Sequence, residues 1–146
     1  MSICAKLDFI EQVAKLMDEK IAGIHTCVPA IVTAYDAIKN TAIVQPVAQY
    51  TDKQGRKIDF PEIADVPVVM PSFEGGAIII PVSRYDECLL IFAEQSLDLW
   101  IGEGRYNSVG DALRFALSNA IALVGYTNKA TENVAQLREM SSADKK

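Results

Sequence analysis

The chain is poor in the residues that most often carry chemistry. It has one histidine, His25, and three cysteines, Cys4, Cys27 and Cys88, with no C-x-x-C pair among them. Structural and catalytic metal sites draw on clusters of such side chains at short spacing, so neither a metal nor a cofactor is expected. The three thiols read as small apolar residues, buried or partly buried, in a chain made in a reducing cytosol; a disulfide framework is not expected. No G-x-S-x-G elbow surrounds Ser96 or Ser118, and Gly75-Gly76 lacks the Lys-Ser/Thr and the flanking helix of a phosphate loop. "GEGRY" at Gly102–Tyr106 is too short a glycine pattern to read as more than a turn. The first 25 residues mix acids and bases and have no apolar core of a secretory signal. The run from Ile21 to Tyr35 is 15 residues long and contains His25 and Pro29, too short to span a bilayer, so a soluble protein is expected.

Positive charge is scarce where a nucleic-acid groove would need it. The net charge is −5, and residues 26–104 hold five basic against eleven acidic groups. Nucleic-acid binding depends on a positive stripe that displaces counterions, and this segment has the opposite sign.

What is abundant is apolar surface, at half of all residues. Within residues 2–22, Ile3, Leu7, Ile10, Ala14, Met17 and Ile21 recur at spacings of 4-3-4-3-4, which predicts a helix carrying a coiled-coil-like seam, with Gly23 as its stop. Such a helix packs on its own domain or projects toward symmetry mates or a partner. From Thr26 the period changes. "CVPAIVTAYD", "NTAIVQPVAQY", "VPVVMP", "AIIIPV" and "CLLIF" read as five or six short strands separated by turn signals, among them a polar hairpin tip around Gly55. Prolines at 61, 67, 71 and 81 place strand ends and rims there, because proline donates no ladder hydrogen bond. The pattern is that of a small all-β barrel. Continuous apolar runs at Ala77–Ile80 and Leu89–Phe92 imply that both faces of those strands are covered. Beyond them, "SVGDALRFALSNAIALVG" opens on a capping-box-like Ser108…Asp111 and reads as helical, and Ala130, Val134 and Leu137 form a weak helical stripe before a polar tail.

The carboxylates Asp86, Glu87 and Asp98 have the chemistry for acid–base work, but the sequence marks no nucleophile or oxyanion donor beside them. His25, next to a helix end, reads as structural. No enzyme is expected.

Taken in order, "VPAIVTAYDAIKNTAIVQPV", "VPVVMPSFEGGAIIIPVSRYDECLLIFAEQSLDLWIGEG" and "RFALSNAIALVG" resemble the N-terminal OB-fold domain of the central-spike, cell-puncturing proteins of contractile-tail phage baseplates. The similarity covers about residues 24–125. It rests on the Val44-Gln45-Pro46 turn, the Asp65-Val66-Pro67-Val68 strand, the Asp86–Phe92 strand and the acidic Asp98-Leu99-Trp100 helix turn. It implies a mainly β fold with flanking helices: an N-terminal helix over 1–23, a five-stranded OB-fold barrel over 24–104, and a helical or irregular C-terminal extension over 105–146. It further implies a homotrimer in the virion's tail baseplate, assembled in the host cytoplasm, that joins the hub or tail tube to a puncturing tip. The family usually continues into a long β-helical needle, which the roughly twenty residues after Gly125 cannot build, so either a separate tip protein supplies the needle or the chain is a shortened spike. The family pattern also carries Asp in "L-S-D-A" where this chain has Asn119, a charge lost at what reads as a linker position. Ile3, Leu7, Ile10, Ala14, Met17 and Ile21 are then the partner-facing seam, and Val68, Ile79, Leu90 and Trp100 the candidates for the barrel's outer, trimer-facing surface. No small-molecule substrate and no nucleic-acid partner is implied. An OB module for single-stranded nucleic acid is the alternative, disfavoured by charge. A wall hydrolase would need a paired-carboxylate cleft for which no chain is left.

Overall fold

In the computed structural model of the chain, residues 3–106, 114–126 and 128 are described, with side chains from Lys6 onward. The helical stripe over 130–137 and the Ser108…Asp111 cap lie outside them. The chain forms two compact units, one of residues 1–26 and 92–120, the other of residues 27–91 and 121–146.

The second unit is built on a sheet. Cys27–Asp36 (β1) and Thr41–Pro46 (β2) pair antiparallel across the turn at residues 37–40. Asp36 shapes that turn: its Oδ1 accepts the N–H groups of Ile38 and Lys39 at 2.9 and 3.1 Å. Asn40 closes it in the left-handed region at φ 54°, a conformation asparagine tolerates. After a small hairpin of Gln49–Thr51 (β3) and Lys57–Asp59 (β4), Ile63–Pro67 (β5) pairs with β2. Ser72–Phe73 (β6) and Gly76–Ala77 (β7) make a minimal hairpin. Glu87–Phe92 (β8) returns to pair with β1 on its other side, and Ala120–Val124 (β9) lies beside β8.

The sheet order is therefore β5-β2-β1-β8-β9, and a parallel bridge between Val68 and Ala122 brings its two edges together. The Val69 N–H donates to the Ala122 carbonyl at 2.9 Å across that closure. A five-stranded meander-and-return with one parallel closing contact is the OB-fold arrangement, and the small-barrel reading holds. The closing strand was not legible: residues 120–124 lie within the stretch expected to be helical and beyond the barrel boundary expected at 104. Helix propensity of "NAIALVG" yields here to ladder hydrogen bonds and to burial of Ala122, which is fully enclosed. The expected "AIIIPV" strand is also shorter than its β-branched run suggests. Only Gly76–Ala77 pairs, and residues 78–81 leave the sheet.

Inside the barrel sit Ala30, Val32, Ala42, Val44, Ile63, Val66, Val68, Cys88, Leu90 and Ala122. Val32 faces Val44 across β1 and β2, and Ala30 faces Cys88 across β1 and β8. In β5, Ile63 and Val66 both point inward although three residues apart. The extra residue is absorbed by a bulge, with Asp65 at φ 53° and the register shifting between Ala42 and Val44. Burial pushes the Cys88 thiol up to about 11, so it behaves as a small apolar side chain as expected. Cys27, by contrast, is exposed.

At the β3–β4 hairpin tip, Asp52 Oδ1 accepts the N–H groups of Arg56 and Gln54, each at 2.8 Å, and Oδ2 accepts Arg56 Nε at 2.7 Å. The Arg56 backbone N–H is the largest influence holding this carboxyl below its ordinary value; burial opposes it, and the Arg56 side chain and Gln54 N–H add to the lowering. A lowered folded-state value means that the carboxylate supports the tip at all pH above the ordinary carboxylate range, about 3.9. That support is lost as pH falls through the depressed value. The amide resonances of Gln54 and Arg56 are expected to move together in that acid window while core amides stay put. Asp52→Asn should remove the transition.

The first unit contains Ile3–Ala22 (α1), which ends one residue before Gly23, and Asp98–Glu103 (α2), which ends on Gly104 in the left-handed region at φ 64°. Its tightest feature is Asn119, expected at a linker and found buried. Its Oδ1 accepts the Leu97 N–H at 2.9 Å, and its Nδ2 donates to the Ala93 carbonyl at 3.2 Å and to the Gln95 carbonyl. One side chain thus pins the loop between β8 and α2. The His25 ring centroid lies 5.6 Å from that of Phe92, and its backbone N–H donates to the Phe115 carbonyl at 3.3 Å.

Candidate assembly surface

Within the first unit, the described residues leave the apolar positions of α1 uncovered. Leu7, Ile10, Met17 and Ile21 are all more than half exposed, as are Phe9 and Leu16 beside them, and Ala14 is exposed as well. Val13, Leu16, Met17, Lys20 and Ile21 line an open apolar groove along the helix. Ile3 belongs to the same helix, but its side chain lies outside those described. An amphipathic helix in water gains most of its stability by burying its stripe, which makes a bare stripe of this length a candidate contact surface.

In the second unit, residues 71–81 are exposed throughout. Phe73 and Ile78 project into solvent there, and Ile79 is 81% exposed. Within this unit the described residues leave the Ala77–Ile80 run bare, so the cover expected from the N-terminal helix, the C-terminal segment or another subunit is not supplied by them. Ile43, Ile91 and Leu123 on the barrel strands, and Val47 just past β2, add exposed apolar groups.

Two of the four outer-face candidates are corrected. Val68 is 3% and Leu90 is 0% exposed, and both fill the barrel interior. The reason is strand parity. In β8 the buried residues are Cys88, Leu90 and Phe92, so Leu89 and Ile91 alternate outward. After the Asp65 bulge, Val66 and Val68 share the inner side and Val69 turns out. Ile79 and Trp100 are exposed, Trp100 on α2. Neither phase was available in the sequence: "CLLIF" is apolar throughout, and the bulge that sets the phase of β5 has no signature.

Asn40 is a site residue that sequence reasoning missed. Its Nδ2 donates to the Val68 carbonyl at 2.8 Å, its carbonyl accepts the Val68 N–H at 3.0 Å, and its Oδ1 accepts the Tyr35 hydroxyl at 2.9 Å. It fastens the β1–β2 turn to the strand that closes the barrel.

The carboxylates considered for chemistry hold turns. Asp86 Oδ2 accepts the Ser83 N–H at 2.7 Å, and Asp98 Oδ2 accepts the Ser96 hydroxyl at 3.2 Å. Glu87 accepts both the backbone N–H and the side-chain amide of Asn128, beside a small, mostly apolar cavity of about 140 Å³ that Cys88 and Tyr126 also line. Among the described residues no cluster of three or more His, Cys, Asp or Glu side chains is placed to hold a metal ion, and no helix is long and apolar enough to cross a membrane.

No curated protein matches the chain. A family model described as "Phage protein Gp138 N-terminal domain" matches residues 28–125, about two thirds of the chain. The match begins at the second residue of β1 and runs one residue past β9, so it takes in all five strands of the barrel. The chain belongs to this phage protein family.

Proposed function

We propose that the protein is a virion component: a structural, trimeric hub or spike adaptor of a contractile-tail baseplate, joining the tail tube or hub to a separate puncturing tip. The observation that carries this reading is the apolar surface left uncovered on α1 and on residues 71–81, in a chain whose barrel already encloses its own core. Apolar surface in excess of a monomer's needs is the mark of a permanent assembly. Membership of a phage protein family and the resemblance of the barrel segments to central-spike modules supply the setting. The module's work in this reading is mechanical: it registers one part of the baseplate on another and transmits force, without substrate or catalysis.

The test is the absolute mass in solution, by light scattering over a wide range of concentration. A stable species of three times 16.0 kDa is expected. A monomer that persists at high concentration would remove the trimeric adaptor reading.

A further inference from the structure

We infer that α1 assembles with the α1 helices of two further copies of this chain as a parallel, in-register, three-stranded coiled coil. The inference rests on the trimeric reading above and adds the element, direction and register of the contact.

The spacing assigns heptad positions without freedom. Leu7, Ala14 and Ile21 fall at a, and Ile3, Ile10 and Met17 fall at d. The e positions are then Cys4, Glu11 and Asp18, and the g positions Lys6, Val13 and Lys20. Every charged e residue is an acid and every charged g residue is a lysine. In a parallel, in-register assembly a g residue meets the e residue five positions later on its neighbour, so Lys6 faces Glu11 and Val13 faces Asp18. In an antiparallel assembly e meets e and g meets g, which sets acid against acid and lysine against lysine. Charge therefore selects the parallel arrangement. Leucine at a with isoleucine at d, as at Leu7 and Ile10, favours three or four strands over two. The helix is about three heptads long, too short to pair strongly alone, so its assembly is coupled to that of the attached barrels.

The apolar arc is wider than this seam. Phe9 and Leu16 fall at c, on the flank beside g, and both are exposed. They give a control that separates a coiled coil from general apolar docking.

The experiment uses the full chain with Cys4→Ser, Cys27→Ser and Ile21→Cys, oxidised mildly and read by non-reducing electrophoresis alongside the mass in solution. Cys88 stays, because it is fully buried. Residue 21 is exposed, so the substitution leaves the fold intact. In the parallel coiled coil the three copies of position 21 meet, and covalent dimers form within a particle of trimer mass. In an antiparallel pair the same positions lie more than about 20 Å apart along the axis, at 1.5 Å per residue, and do not link. Adding Leu7→Asp and Ile10→Asp is expected to abolish the cross-link, and adding Phe9→Glu and Leu16→Glu is expected to leave it. A trimer that does not cross-link at 21 would overturn the coiled coil and leave the adaptor reading standing. A cross-linked species of dimer mass would overturn the three-stranded count. A monomer at all concentrations would overturn both readings. A cross-link lost with the Phe9 and Leu16 changes would also overturn the heptad assignment.

Discussion

Leu90→Ala is expected to destabilise the barrel by about 2–5 kcal/mol, a large fraction of the roughly 5–15 kcal/mol that holds a domain folded. Leu90 is fully buried in β8, paired with Val28 and flanked on its own face by Cys88. Removing three carbons from a closed barrel leaves a hole, because the ladders on either side keep the strands from collapsing into it. Urea denaturation at one fixed protein concentration measures the effect, since any assembly makes apparent stability concentration-dependent. The companion variant is Ile79→Ala. At 81% exposure in the single chain it should change the barrel's own stability, measured where the protein is monomeric, by no more than about 0.5 kcal/mol. A loss below about 1 kcal/mol at Leu90, or a larger loss at Ile79 than at Leu90 with the protein monomeric, would mean that the strand parity is wrong.

Asn119→Asp should be nearly as damaging, for a polar reason. The buried amide at 119 presents an acceptor to one backbone N–H and a donor to two carbonyl oxygens, all in a part-buried setting. Alanine at this place leaves those groups without a partner, at about 1–3 kcal/mol for each one that water cannot reach. Aspartate is worse at neutral pH, since a carboxylate aims its charge at the two carbonyl oxygens; a loss of about 3 kcal/mol or more is expected. The protonated acid can still donate one hydrogen bond, so the folded state raises the carboxyl's pKa above its unfolded value of about 3.9. The variant's stability should therefore be greatest below that value and should fall as pH rises above it, the reverse of ordinary acid denaturation. A flat difference between the variant and the parent chain from pH 3 to 8 would place residue 119 in solvent.

This second case shows where sequence reading stops. Asn119 looked like a charge missing from a linker because its partners, Ala93, Gln95 and Leu97, are more than twenty residues away, and only the fold makes them neighbours. The helix at Ile3–Ala22 was legible from its own period, and the strands at Cys27–Asp36 and Glu87–Phe92 from short apolar runs bounded by turn signals. Ala120–Val124 was not, since "AIALV" has as much helical as strand character and is decided by the β8 edge that receives it. Among the surface candidates, the α1 residues followed from spacing alone. Val68 and Leu90 fall on the inner face and not the outer one because a continuous apolar run does not show its own phase: strand parity sets it in β8, and the bulge at Asp65 sets it in β5.

The bridge between Val68 and Ala122 carries a consequence for synthesis. About 54 residues separate the two partners, so the ribosome needs roughly 3–10 s to make the second after the first. Throughout that interval the sheet, first β1, β2 and β5 and then β8 beside β1, has two open edges and an apolar face, the condition under which nascent β chains pair with the wrong neighbour. Many copies of one message translated side by side would place identical edges close together. The chain is thus most exposed to aggregation before its last barrel strand emerges, and slowing elongation between codons 70 and 120 should lower its yield more than slowing it anywhere after residue 125.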